Sequence, residues 1–188
     1  MKINFIYRKS SFFILLLFSA TFTVRYIPAV AGTVKKVFPV VVTSNSIRPG
    51  LYLPVGGAIH RGDFIQFCLN TIENKLALQR EYITRGKCND GPDITKEVIG
   101  VPGDVVNVYP DKTTIQYGKH LKTYYAPRYI KDWTGEFAPR TITEGSYKLK
   151  SEYWVYGNDN QTYSWDSRYY GAIDLSQIKL KIKPLLTF

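Results

Sequence analysis

Ser46 and Lys96 are the two side chains of this sequence best suited to act as a nucleophile and its base. Ser46 lies shortly before Pro49-Gly50, a turn signal that can expose its hydroxyl. A hydroxyl becomes a good nucleophile only when a base removes its proton. A lysine can be that base once burial in apolar surroundings lowers its pKa, by as much as about 3–5 units. Lys96 is followed by residues that can supply such surroundings, namely Val98, Ile99 and Val101.

Both residues also have an ordinary structural interpretation. A serine before Pro-Gly is usually only a turn residue, and a single lysine among 25 Lys and Arg residues is usually solvated. The two histidines are alternative bases. His60 precedes a turn and His120 lies in an irregular stretch, so we expect both to be exposed loop residues rather than part of a Ser–His–Asp triad.

Four separated segments, taken together, resemble a known family. They comprise residues 44–52, 61–63, 96–104 and 157–168. Their order after one apolar N-terminal segment is similar to that of the membrane-anchored serine–lysine signal peptidases. Within that family the segments look most like the TraF type of conjugative transfer peptidase, which processes pilin precursors. The spacing Ser-x-x-x-Gly-x-Tyr at Ser46 and the position of Lys96 before Val-Ile-Gly-Val-Pro-Gly-Asp carry the resemblance.

This resemblance implies roles for specific residues. Ser46 is the expected nucleophile and Lys96 the expected general base. The backbone N–H of Ser46 and the hydroxyl of Ser44 are the expected oxyanion donors, although Ser44 can equally be a strand-end hydroxyl. Ser164 is expected to help orient the lysine. The expected ionic scaffold consists of Asp159, Asp166 and Arg168. No metal ion and no cofactor is expected.

Two cysteines, Cys68 and Cys88, lie in the part of the chain expected to face outward. A disulfide is expected there in an oxidising periplasm, and such a pair also resembles the TraF-type pattern. It would close a loop that contributes about 3 kcal/mol in the chain-entropy model. Two cysteines without an adjacent pair of histidines make a poor zinc site.

The N-terminus predicts a membrane anchor. Basic residues precede an uncharged run over residues 10–24, and the helix can extend over about residues 10–27. The basic residues hold the N-terminus in the cytoplasm, which places the rest in the periplasm of a bacterial inner-membrane protein. The alternative is a signal cleaved after Ala31, since residues 29–31 have the small-x-small form, but Arg25 argues against efficient cleavage.

The net charge of +10 makes a nucleic-acid-binding protein a class to consider. The Lys and Arg residues are scattered, however, and no nucleic-acid motif is present. A solvated basic surface, or one facing an anionic membrane, explains the charge as well. We therefore expect no nucleic-acid partner.

The elements that must position these residues are mostly strands. Extended segments are predicted at residues 37–52, 64–68, 96–101, 104–108, 113–117, 154–156 and 178–182. One soluble-domain helix is predicted over residues 72–84, with Ile72 and Leu76 on a common side. Residues 119–142 lack a clear period and indicate an inserted loop or small subdomain within about residues 109–150.

The predicted fold class is therefore mainly β. We expect a signal-peptidase-like antiparallel domain, with twisted sheets or a partial barrel, and one N-terminal transmembrane helix. Residues 1–36 form the tail, anchor and linker, and residues 37–188 form the periplasmic peptidase domain.

The predicted function is a membrane-bound serine endopeptidase that uses a Ser–Lys dyad on secreted precursors. Pilin maturation for conjugative transfer, by hydrolysis or by cyclisation, is the specific expectation. Its partners would be a pilin or another secreted precursor, the membrane, and components of conjugation or type IV secretion. One alternative is a general type I signal peptidase. Another is a non-catalytic anchored domain that binds pilin or the secretion channel.

Overall fold

The computed structural model describes residues 38–125, 131–157 and 164–188. Residues Phe38–Phe188 form one compact unit. The predicted anchor at about residues 10–27 lies outside the described residues. Within the three described ranges, no helix has both the length and the apolar composition needed to cross a membrane.

Two antiparallel sheets make up most of the described part of the chain. Their strands are β1 (Val40–Val42), β2 (Gly50–Val55), β3 (Phe64–Phe67), β4 (Ile94–Gly100), β5 (Val105–Val108), β6 (Lys112–Tyr117), β7 (His120–Tyr125), β8 (Gly145–Lys148), β9 (Trp154–Tyr156) and β10 (Ile178–Thr187). All of their pairings are antiparallel, which confirms the predicted mainly β fold. The first sheet has six strands in the order β1-β2-β10-β3-β4-β9, and the second has four in the order β7-β6-β5-β8.

Apolar side chains on both faces of the first sheet form the core. On one face, side chains of β4 and β9 pack against the second sheet in a cluster that includes Ile99, Trp154 and Ile115. On the other face lies a cluster that includes Ile65 and Val98. Strand residues alternate between the two faces of a sheet, so neighbours such as Val98 and Ile99 enter different clusters.

Two α-helices occur among the described residues, α1 (Thr71–Gln79) and α2 (Ser167–Tyr170). The predicted helix over residues 72–84 is therefore present but shorter. Its predicted apolar side was wrong, because Ile72 is 66% exposed and the buried side consists of Glu73, Asn74 and Ala77. The amide of Asn74 donates to three backbone carbonyls, so a polar side chain anchors this helix.

The stretch over residues 119–142 is more regular than predicted. Its first part is β7, which pairs with β6 at the edge of the second sheet. Its later part contains a turn in which Lys131 faces Phe137 through an isolated bridge. Both parts belong to the same compact unit as the rest of the described chain.

A disulfide joins Cys68 to Cys88, with the two Cα atoms 5.4 Å apart. The bond closes a loop that contains α1 and ties the end of β3 to the segment before β4.

We expect the double substitution Cys68→Ala with Cys88→Ala to lower the free energy of unfolding by about 3 kcal/mol, because the unfolded chain gains loop entropy. Urea denaturation under oxidising conditions measures this difference. An unchanged transition midpoint would contradict it.

Candidate active site

Packing, a hydrogen bond and a close backbone contact fix the turn that carries Ser46. Ser46 lies just after β1, and the next residue, Ile47, is 1% exposed and packs in a cluster with Tyr52. The hydroxyl of Tyr52 donates to the carbonyl of Arg48 at 2.7 Å. At Gly50 the backbone has a φ of 155° and lies so close to β10 that a Cβ would collide with the carbonyl of Leu186. Together these contacts hold the Ser46 hydroxyl at one place on the surface of the sheet.

Lys96 lies in β4, which pairs with β3 on one side and with the edge strand β9 on the other, and is only 4% exposed. Its cross-strand partner is Ile65, and Val98 shares its face of the strand, so its stem is surrounded by apolar side chains. Of the neighbours expected to bury the lysine, Val98 is on this face. Ile99 is on the opposite face, in the cluster between the sheets.

The amine of Lys96 contacts two serine hydroxyls. Its Nζ atom lies 2.5 Å from the Oγ of Ser46 and 2.8 Å from the Oγ of Ser164. The two Oγ atoms are 3.5 Å apart, so the three groups form a triangle. A hydroxyl next to an amine at this distance is the arrangement that proton transfer requires.

Burial lowers the pKa of Lys96 to about 8, because the charged ammonium loses its hydration. The Asp166 carboxylate acts in the opposite direction and raises this pKa, whereas the Arg168 guanidinium lowers it further. A substantial fraction of the Lys96 amine is therefore neutral near pH 8, and only the neutral amine can accept a proton.

Asp166 and Arg168 form a buried ion pair that holds Ser164. The Nε atom of Arg168 donates to Asp166 at 2.7 Å, and both side chains are 0% exposed. One Nη atom of Arg168 donates to the carbonyl of Ser164 at 3.0 Å. The Asp166 carboxylate also accepts the backbone N–H of Gly157 at 2.9 Å. Two of the three expected scaffold residues are thus in contact, and the third, Asp159, lies outside the described residues.

Gly157 is a site residue that the sequence reasoning did not single out. Its backbone lies so close to Ser164 that a Cβ would overlap the Oγ and Cβ atoms of that serine. Gly157 follows β9 directly and is the first residue of the last family-like segment, and this position was the sequence feature that could have indicated its importance. Only the burial of the facing serine shows why glycine is needed there.

A groove of about 860 Å³ runs past the dyad. Ser46, Lys96 and Ser164 line it, and Ser44 lines it as an exposed residue of the same turn. Neither histidine lines it. His60 is an exposed loop residue beside Asp63, and His120 is an exposed residue of β7 whose ring stacks on Tyr117.

Comparison with known proteins identifies the family. Residues 8–185 match the family described as signal peptidase, peptidase S26. The plasmid transfer protein TraF of Escherichia coli is 33% identical over 151 residues, which cover 78% of this chain and 81% of that protein. Signal peptidase I V of Bacillus subtilis is 36% identical over 93 residues, 44% of this chain and 53% of that protein.

A crystal structure of a signal peptidase I from Enterococcus faecalis is also similar. The alignment covers 68% of this chain and 98% of that one, with 18% identity and a TM-score of 0.34. The family match over most of the sequence shows that the chain belongs to the peptidase S26 family of signal peptidases. It is therefore a serine peptidase.

The contact between Gly157 and Ser164 gives a testable expectation. We expect Gly157→Ala to lower kcat/KM by about 100-fold, because the new methyl group displaces Ser164 from the lysine amine. Gly56→Ala is the matched control, since a Cβ there meets no atom within 4 Å. Peptide cleavage assays, with circular dichroism to verify folding, measure the effect. Full activity of a folded Gly157→Ala enzyme would contradict the positioning role of Ser164.

The lowered pKa of Lys96 predicts the pH dependence of cleavage. A basic group accepts a proton only above its pKa, so kcat/KM should rise with pH and reach half its maximum near pH 8. Below that point the rate should fall about tenfold for each pH unit. Rates measured from pH 5.5 to 9.5 test this expectation. A flat profile across that range would show that Lys96 is not the base.

Proposed function

We propose that this chain is a membrane-anchored endopeptidase that cleaves secreted precursors through a Ser46–Lys96 dyad, and that its substrate is a pilin precursor of a conjugative system. The observation that carries this proposal is the buried Lys96 amine in contact with the Ser46 hydroxyl in an open groove.

The first chemical step is acylation of Ser46. The neutral amine of Lys96 accepts the hydroxyl proton while Ser46 Oγ attacks the scissile carbonyl. One N–H of the amine donates to Ser164, which aims the nitrogen lone pair at Ser46. The backbone N–H of Ser46 and the hydroxyl of Ser44 are the proposed donors to the oxyanion. When the tetrahedral intermediate breaks down, the ammonium of Lys96 returns the proton to the leaving amine.

The second step releases the acyl group. Lys96, neutral again, accepts a proton from a water molecule whose oxygen attacks the ester, and Ser46 leaves with that proton. If an amine of the substrate attacks in place of water, the product is a cyclic or ligated peptide. Hydrolysis and aminolysis therefore need the same residues.

The substrate class is supported by the groove and by the relatives. A groove of about 860 Å³ is larger than one small side chain requires and suits a peptide segment. β1 lies at the edge of the first sheet, beside the dyad, where an extended peptide can add as a strand. The similarity to a plasmid transfer protein over most of the chain favours a conjugative substrate.

The proposed location is the bacterial inner membrane, with the N-terminus in the cytoplasm and the peptidase unit in the periplasm. The disulfide between Cys68 and Cys88 fits an oxidising compartment. On the first sheet, Val41, Leu51 and Leu186 face each other across β1, β2 and β10. Val41 is 67% exposed and Leu186 is 59% exposed, so this row can lie against lipid.

General removal of signal peptides is the second candidate function. The 36% identity to a signal peptidase I over 93 residues favours it. The two candidates differ in substrate range rather than in chemistry.

Co-expression of the full chain with the pilin precursor of its own conjugative system, or with an unrelated secretory precursor, tests the proposal by intact-mass analysis. We expect a shortened pilin with the wild type, and at least about a 100-fold slower conversion with Ser46→Ala or Lys96→Met. A product lighter by one further water indicates cyclisation. Lys148→Met, which changes an exposed lysine of β8, should process pilin normally.

Other results of this co-expression experiment would count against pilin maturation or against the dyad. Processing of both precursors indicates a general signal peptidase. Processing that survives both dyad substitutions refutes the catalytic assignment. Pilin that the wild type binds but never cleaves would refute pilin as the substrate.

A further inference from the structure

The groove continues past the dyad to an aromatic end. Tyr82, Trp133 and Trp165 line it there, and we call these three residues the aromatic wall. Trp165 follows Ser164 directly in sequence, so the wall adjoins the dyad. The ring of Trp165 packs against Tyr82 with the ring centroids 5.7 Å apart, and the Nε1–H of Trp165 donates to the carbonyl of Pro139 at 3.1 Å.

Trp133 is the exposed member of the aromatic wall. Its side chain remains 66% exposed, although burying an indole is among the larger apolar gains available to a protein. A tryptophan left exposed beside a groove is typical of a binding residue. This position is also fixed, because the Trp133 Nε1–H donates to the carbonyl of Arg80 at 3.1 Å.

The turn that carries Trp133 is closed and attached to α1. Within the turn, the N–H of Gly135 donates to the carbonyl of Asp132, and the N–H of Asp132 donates to the carbonyl of Glu136. Arg80, at the end of α1, lies 2.6 Å from the Asp132 carboxylate and also pairs with Glu136. The turn is thus held in place before any substrate arrives, which reduces the entropy lost on binding.

The charges at this end of the groove are largely neutralised. Asp132 is paired with Arg80, and Asp93 with Lys179 at 2.6 Å. A further acid and base that line the groove, Glu81 and Lys131, have opposite signs. Glu136 shares Arg80 with Asp132, so these groups comprise four acids and three bases and carry little net charge. A charged side chain would gain little here, whereas an apolar one would cover Trp133 and release its water.

We propose that the aromatic wall is a specificity site that binds one bulky apolar or aromatic side chain of the precursor while Ser46 attacks the scissile bond. This inference rests on the proposed function, because the occupant is part of a peptide substrate. It goes beyond that function in naming the residue type that the precursor must carry and the residue, Trp133, that selects it.

Binding to an enzyme that cannot cut its ligand tests the proposal. Full-length Ser46→Ala protein in lipid nanodiscs is titrated with ten-residue peptides built from Ala, Ser and Gly. A second series carries one Leu or Phe, moved through each position in turn. We expect one position at which the large residue tightens binding at least about fivefold. At that position the indole N–H resonance of Trp133, assigned with Trp133→Phe, should shift.

Variants at the turn identify the cause. In the Ser46→Ala background, Trp133→Ala should abolish the gain from the large residue, and Trp133→Phe should keep most of it. Phe137→Ala is the matched control, since Phe137 is 55% exposed on the same turn but does not line the groove, and it should leave the gain unchanged. An equal gain with Trp133→Ala, or no gain at any position, would overturn the proposal.

Failure of this inference differs from failure of the proposed function. The binding experiment does not depend on catalysis, whereas wild-type cleavage of the same peptides does. Cleavage by the wild type that is indifferent to the large residue would overturn the specificity site and leave the peptidase intact. Selective binding without cleavage would support the site and count against the dyad.

Discussion

The ion pair between Asp166 and Arg168 is the interaction on which the active site depends. Removing two charges from water is costly unless their polar atoms find partners. Arg168 meets that condition by donating to both Asp166 oxygens and to the carbonyls of Ser164 and Tyr125. The Asp166 carboxylate also accepts the N–H of Gly157. Because buried pairs contribute little net stability, the main effect of this one is to fix where Ser164 and the end of β9 lie.

The two members of the same ion pair shift the pKa of Lys96 in opposite directions. Asp166 raises the pKa of this lysine and Arg168 lowers it, so the two influences oppose each other and burial determines the direction of the shift. A lone carboxylate at the same place would stabilise the ammonium and prevent base catalysis. The lowered pKa of Lys96 therefore follows mainly from burial, and its amine has two hydroxyls as partners.

Short local segments explain why Ser46 and Lys96 could be expected from the sequence to lie together, as they do in the structure. Ser46 and Lys96 each lie within a run of residues whose order is informative, and the strand pattern around Lys96 indicated burial. The sequence could not predict which neighbours bury the lysine, because Val98 and Ile99 are both apolar. Only the pairing of β4 places them on opposite faces of the sheet.

The buried face of α1 was also not predictable. Apolar spacing favoured Ile72, but the three hydrogen bonds of the Asn74 amide determine which face is buried. The aromatic wall was not predicted because Arg80 and Asp132 meet across more than fifty residues of sequence.

The half of the groove that the sequence indicated and the half that it did not are built differently. The half with Ser46 and Lys96 rests on β1, β4 and the ion pair, and the proposed chemistry there would be lost on a small displacement of the lysine. Tyr82 and Trp133 of the aromatic half rest on a disulfide-closed loop and on a turn held by Arg80. Surface loops accept substitutions that a paired strand does not. If the proposed roles of the two halves hold, substitutions in these loops would change which peptides bind and leave the contact between Ser46 and Lys96 in place.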